Sequence, residues 1–67
     1  MDVSNITVRA NEYYKSESYH ELLTLYSSAI KANPGNAEFW SERGVAKLNL
    51  RKPKDAIEDF EDGTDLI

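Results

Sequence analysis

The sequence contains no cysteine and only one histidine, and these two shortages exclude several kinds of site. Without cysteine the chain forms neither a disulfide bond nor a thiolate metal site, and one histidine does not complete a zinc site. The core of a chain of 67 residues seldom supplies more than about 3–5 kcal/mol of net stability. We therefore expect no metal or other cofactor, and a stability that depends on helix packing and on association.

Long apolar runs and a surplus of basic residues are also missing. The net charge is −4, whereas nucleic-acid binding needs a basic surface. No apolar run approaches the roughly 20 residues that span a bilayer, and the first residues lack the basic and apolar parts of a signal peptide. We expect a cytoplasmic protein that binds neither nucleic acid nor membrane.

Groups that could perform catalysis are scarce as well. His20 is followed by Glu21, but no nucleophile can be paired with it from the sequence, and a general base needs such a partner within hydrogen-bonding reach. There is no glycine-rich loop for phosphate. We expect no enzyme activity and no catalytic residue.

Proline, glycine and serine divide the chain into four segments. The breaks fall at residues 33–36, at residues 16–18 and just before Pro53, a residue that a helix tolerates in its first turn. Between the breaks, apolar residues recur at helical spacing. The pattern predicts four helices, near residues 3–15, 19–32, 37–50 and 54–66, and the short connections make neighbouring helices antiparallel.

The apolar positions repeat after 34 residues. Ile6 falls on Trp40, and Arg9 falls on Arg43, an identity. The other matched pairs agree in size or polarity: Ala10 with Gly44, Tyr14 with Leu48, Leu22 with Ala56, Leu23 with Ile57, Tyr26 with Phe60, Ala29 with Gly63, and Ala32 with Leu66. Small residues at matched positions would let paired helices approach closely, and such hairpins stack because one alone cannot bury its apolar face.

This pattern resembles the tetratricopeptide repeat. The second repeat carries Trp40, Gly44, Leu48, Ala56 and Phe60, and the first carries Ala10, Tyr13, Tyr19, Tyr26, Ala29 and Pro34. The resemblance implies an all-α fold of two stacked antiparallel helical hairpins, four helices without a capping helix. It implies one domain over residues 1–67, with repeats at 3–36 and 37–67.

Two departures from the family pattern affect packing. Arg9 and Arg43 occupy positions where leucine is usual, and we expect their stems to cover apolar surface while the charged heads reach water. Gly63 replaces an alanine, which costs about 1 kcal/mol of helix propensity, so we expect the last helix to be the weaker one.

The resemblance implies a protein-interaction module that binds a peptide or protein on its inner surface. The inner positions that it implies are Thr7, Asn11 and Tyr14 in the first repeat and Glu38, Ser41, Val45 and Leu48 in the second. Tyr14, Val45 and Leu48 have a second interpretation, packing between helices. The carboxylate clamp of co-chaperones is disfavoured, because Thr7 and Glu42 replace its lysine and its second asparagine, and Glu42 would repel a carboxylate.

A second hypothesis is self-assembly through the last hairpin. Two repeats are fewer than the three that such folds usually need, and an uncapped hairpin would expose Ile57, Leu66 and Ile67. A homo-oligomer, or a piece of a longer repeat protein that stops at a repeat boundary, would account for this pattern.

A basic stripe precedes an acidic segment. Arg43, Lys47 and Arg51 are spaced by four residues, and residues 55–65 contain six carboxylates. The stripe would serve either as an anion site or as a partner for the acidic segment across an antiparallel hairpin. We favour pairing, worth about 0–1 kcal/mol for each exposed pair.

Overall fold

The computed structural model describes residues 3–66, with side chains described for residues 5–66, and this part of the chain forms four α-helices. They are α1 (Val3–Lys15), α2 (Tyr19–Ala32), α3 (Ala37–Asn49) and α4 (Pro53–Asp65). Each helix packs on the next one along the chain. The predicted all-α fold of two helical hairpins is confirmed, and each helix begins and ends within one residue of its predicted bounds.

The helix starts follow the chemistry of their first residues. Asn36 caps α3, where its side-chain oxygen accepts the backbone N–H of Glu38 at 3.1 Å. Pro53 opens α4, where its missing N–H removes no helical hydrogen bond. These local signals explain why the two starts were readable from the sequence.

The turn inside each hairpin has the same backbone conformation. Glu17 and Arg51, which are 34 residues apart, both have positive φ angles, of 56° and 62°. In the first hairpin the N–H of Ser18 donates to the carbonyl of Tyr13 at 2.8 Å, and in the second the N–H of Lys52 donates to that of Lys47 at 2.9 Å. Both turns are therefore Schellman motifs, and the repeat extends to the backbone.

The core lies within the first hairpin and between the two hairpins. Its members are nearly inaccessible to water: Ile6, Ala10, Leu22, Leu25, Tyr26, Ala29, Ile30, Phe39 and Ala46. Trp40, which matches Ile6 across the repeat, is half-buried against this cluster, and its indole N–H donates to the Pro34 carbonyl at 3.0 Å. The two matched positions thus both pack inward, but the tryptophan keeps its polar atom near the surface.

Glycines permit the closest helix contacts of the second hairpin. A Cβ placed on Gly44 would lie 2.6 Å from Cε1 of Phe60, closer than real Cβ atoms come to a neighbour. A Cβ on Gly63 would lie 3.1 Å from the Trp40 Cβ and 3.2 Å from the Ala37 carbonyl oxygen. The small residues that the repeat aligned are therefore required by the separation of α3 and α4.

The hairpins form a flat body with extents of 30 × 28 × 14 Å. None of the helices described is long and apolar enough to cross a membrane.

Candidate functional site

A hydrogen bond joins the first helices of the two hairpins. The hydroxyl of Tyr14, on α1, donates to Oε2 of Glu42, on α3, at 2.9 Å. Both side chains are half-buried, so the bond is partly shielded from competing water. This contact fixes the orientation of α1 relative to α3 along the surface that the two helices share, which we call the α1–α3 face.

Carboxylates dominate the electrostatics of this face. Burial, the hydrogen bond to Glu42 and the charge of Glu42 all raise the pKa of Tyr14 well above its usual value. Burial, with the charges of Glu42 and Glu38, raises the pKa of Tyr26 to about 12. Both tyrosines therefore stay protonated at neutral pH, and a ligand on this face meets a negative potential.

The predicted inner residues are distributed unevenly around the Tyr14–Glu42 bond. Tyr14 is in the bond itself, and Val45 is half-buried. The others present exposed side chains, namely Thr7, Asn11, Glu38, Ser41 and Leu48. Ser41 also lies toward α4, with its Oγ 3.6 Å from the position of a Cβ on Gly63. Whether these residues bind a partner stays a prediction.

Glu42 is the residue of this face that the sequence interpretation left out of its candidate binding set. It was recognised as a departure from the clamp pattern, but its bond to Tyr14 was not predicted. The two residues are 28 positions apart, and their contact depends on how the hairpins stack. Helical periodicity on its own gives the face of each helix and not the pairing between helices.

A second polar cluster lies between α3 and α4. Asp59 is only 2% exposed, and its carboxylate accepts hydrogen bonds from Arg43 at 2.7 and 2.9 Å and a salt bridge from Lys47 at 2.9 Å. The guanidinium of Arg43 also lies 5.0 Å from the centre of the Trp40 ring. Three charges therefore meet at the boundary of the core.

The ionic partners keep Asp59 charged despite its burial. Burial favours the neutral acid, but hydrogen bonds from Arg43 and Lys47, together with their charges, lower the pKa of Asp59 below its usual value of 3.8. We call this group the Asp59 cluster. It confirms the pairing interpretation of the basic stripe for Arg43 and Lys47, whereas Arg51 is exposed.

Two expectations about these charges were wrong. The head of Arg43 does not extend into water, because it binds Asp59 and approaches the Ser27 hydroxyl at 3.4 Å. The pairs are also not surface pairs, since the Asp59 side chain is 3% exposed. The repeat alignment carried the missing signal, because it places Asp59 on the apolar Leu25.

Known proteins share the sequence over most of its length. Two Hsc70-interacting proteins of Drosophila melanogaster are each 36% identical over 63 residues, 94% of this chain and 17% of theirs. Serine/threonine-protein phosphatase 5 of Mus musculus is 40% identical over 43 residues, 64% of this chain and 9% of the phosphatase. The inactive TPR repeat-containing thioredoxin TTL3 of Arabidopsis thaliana is 39% identical over 49 residues, 73% of this chain and 7% of TTL3.

The chain contains tetratricopeptide-type repeats. It spans less than a fifth of the length of these relatives, so their whole-protein activities are not transferred to it. No family model matches the chain, and no solved structure shows a significant match. The helical hairpins, the 34-residue period and the relatives together describe a protein-interaction module of the tetratricopeptide type.

The last tetratricopeptide hairpin carries exposed apolar residues on α4 and at its end. Ile57 is 53% exposed and Leu66 is 45% exposed, whereas Ile67, the third residue predicted for self-association, lies outside the described residues. A shallow groove on α4 is lined by Ile57, Phe60, Glu61, Thr64 and Asp65. We call it the α4 groove.

Proposed function

We propose that this tetratricopeptide module binds a peptide or protein segment on its α1–α3 face. The Tyr14–Glu42 bond supports the proposal, because it holds the two hairpins in register there while neighbouring polar and apolar side chains remain accessible. Asn11 and Glu38 would bind backbone or cationic groups of the segment. Val45 and Leu48 would contact its apolar side chains.

The charge on the face favours a basic or neutral segment over an acidic one. Glu38 and Glu42 would repel a carboxylate, and a lysine or arginine of the partner would neutralise them. The names of the Drosophila relatives say that those proteins interact with Hsc70, so a chaperone of this kind is a candidate partner. The two carboxylates make an acidic chaperone tail a poor ligand for this chain.

Binding of matched peptides would test the proposal. We would titrate the 67-residue chain with two fluorescent peptides that share a leucine and serine background, one carrying lysines and the other carrying glutamates at the same positions. The basic peptide should bind more tightly. Glu42→Gln should weaken that binding about fivefold, a loss of about 1 kcal/mol.

Two variants separate the face from the rest of the module. Asn11→Ala combined with Tyr14→Ala should also weaken the basic peptide, with helicity retained in circular dichroism. Glu21→Gln, an exposed change on α2 with the same effect on net charge, should have no effect. Equal affinity of the two peptides, or equal effects of Glu21→Gln and Glu42→Gln, would contradict the proposal.

Self-association is a second candidate function, favoured by the exposure of Ile57 and Leu66. Exposed apolar groups of this size mark either an interface or an aggregation risk. Light scattering at several concentrations would measure it, and a molar mass that stays at one chain throughout would reject this candidate.

A further inference from the structure

The interface between α2 and α3 shows what an α4-type surface binds in this fold. The ring of Tyr26 on α2 meets that of Phe39 on α3, with 6.2 Å between their centres. One turn along, Arg43 of α3 donates to the hydroxyl of Ser27 at 3.4 Å, and Ala46 is fully buried. The covering helix thus presents an aromatic residue, an arginine four residues later and a small residue three further on.

The 34-residue period transfers this surface onto α4. Tyr26 and Ser27 correspond to Phe60 and Glu61, and Leu23 and Ile30 correspond to Ile57 and Thr64. These four α4 residues line the α4 groove. Tyr26 and Ile30 are buried by the next hairpin, whereas Ile57 is 53% exposed and Thr64 is exposed. The α4 groove is therefore the uncovered counterpart of a surface that binds a helix elsewhere in the chain.

One difference between the two surfaces determines the chemistry of the ligand. Ser27 accepts a weak hydrogen bond from an arginine, and its counterpart is the carboxylate of Glu61. Asp65, which also lines the groove, adds a second negative charge. A cation at the position of Arg43 would meet a full negative charge here, and a charge-assisted hydrogen bond is about twice as strong as a neutral one.

We propose that the α4 groove binds an amphipathic helix of another protein, with an arginine or lysine placed against Glu61. The helix would follow the arrangement of α3, with an aromatic residue at position i, the cation at i+4 and a small residue at i+7. The aromatic side chain packs beside Phe60 and Ile57, and the small residue lets the helix backbone approach α4. This surface is separate from the α1–α3 face, so the inference goes beyond the proposed function.

A second copy of the chain fits the α4 groove poorly. Its own α4 is acidic, and two such helices would repel each other. Its α1 would bring Arg9 to the position of Arg43, but Asn5 and Glu12 would replace Phe39 and Ala46. Burying an amide and a carboxylate without partners is unfavourable, so charge and packing favour a foreign helix.

The chain supplies its own probe for this proposal. A synthetic peptide of residues 36–50 carries Phe39, Arg43 and Ala46 at the required spacing. Titration of the intact chain with the fluorescent peptide should give saturable binding by anisotropy. Ile57→Ala should weaken binding about fivefold and Glu61→Arg about tenfold, because the second change puts two cations in contact. Both residues are exposed, and circular dichroism should show an unchanged fold.

Charge reversal separates this site from other modes of binding. A peptide with Arg43→Glu should bind the Glu61→Arg protein more tightly than it binds the unmodified protein. Glu58→Arg, an exposed change of equal charge on α4 outside the groove, should alter affinity less than twofold. Glu42→Gln should leave this affinity unchanged, which separates the site from the α1–α3 face.

Three results would overturn the proposal. The first is no saturable binding of the peptide. The second is binding that ignores Ile57→Ala and Glu61→Arg, as expected if the peptide only displaces α3 from its own place. The third is a homodimer in sedimentation equilibrium that Glu61→Arg dissociates, which would assign the α4 groove to a second copy.

Discussion

Asp59 occupies in the second hairpin the position that Leu25 occupies in the first, 34 residues earlier. Both are buried, Leu25 at 6% and Asp59 at 2% exposure. Tyr13 and Lys47 are matched in the same way, so an apolar contact in one hairpin is replaced by an ionic contact in the other. The two repeats share a backbone while depending on different forces at one equivalent place.

Removing the carboxylate of the Asp59 cluster should destabilise the chain strongly. Asp59→Ala leaves Arg43 and Lys47 close together without an anion, and we expect the free energy of unfolding to fall by about 2–4 kcal/mol. Asp59→Leu combined with Lys47→Tyr installs the residues of the first hairpin and should stay within about 1 kcal/mol of the unmodified chain. Thermal unfolding by circular dichroism measures both, and a double variant as unstable as Asp59→Ala would contradict this account.

The Asp59 cluster should also make the chain sensitive to acid. The pKa of Asp59 is lower in the folded chain than its ordinary value of 3.8, so the folded state holds this proton less tightly than the unfolded state. The stabilisation is therefore complete above about pH 4 and is lost as the pH falls below 3.8 toward the folded pKa. Stability measured from pH 6 to pH 2 should fall more steeply for the unmodified chain than for the Asp59→Leu, Lys47→Tyr variant. Parallel curves would show that Asp59 gains nothing from its partners.

Gly44→Ala should destabilise the second hairpin although alanine is the better helix former. The added methyl would lie 2.6 Å from the Phe60 ring, and displacing that ring should cost about 1–3 kcal/mol, more than the roughly 1 kcal/mol of helix propensity gained. Adding Phe60→Leu to Gly44→Ala should recover part of the loss by making room. Urea unfolding of the single and double variants measures the coupling, and simple additivity would refute the steric explanation.

Glycine at either Schellman turn should stabilise the chain. Glu17 and Arg51 hold left-handed backbone angles that a Cβ disfavours by about 1–2 kcal/mol, partly offset by the greater freedom of glycine when unfolded. We expect Glu17→Gly and Arg51→Gly each to raise the free energy of unfolding by about 0.5–1 kcal/mol. Glu12→Gly, inside α1, should instead lower it by about 1 kcal/mol. Equal effects at the three sites would exclude the conformational reason.

The helices were predictable because their signals are local. Pro53, the Asn36 cap and the turn at residues 16–18 act within a few residues of themselves, so they fixed the bounds without knowledge of the fold. The Asp59 cluster was readable only in part. The stripe containing Arg43 and Lys47 indicated pairing, but its burial became clear only when Asp59 was placed on Leu25.

The Tyr14–Glu42 bond was beyond what the sequence could predict. It joins residues 28 positions apart on helices that are not consecutive, and it depends on how far one hairpin is rotated against the other. That rotation follows from packing around Phe39 and Tyr26, where ring orientations decide the fit. Side chains at such junctions have no periodic signature.

A plate only 14 Å thick has no interior that is independent of its outer faces. Folding and recognition therefore draw on the same layer of side chains, and a ligand that selects the folded form adds directly to its stability. At 100 times its dissociation constant such a ligand contributes about 2.7 kcal/mol, comparable with the whole reserve of a chain of this size. The melting temperature of this molecule would then serve as a sensor for its partner.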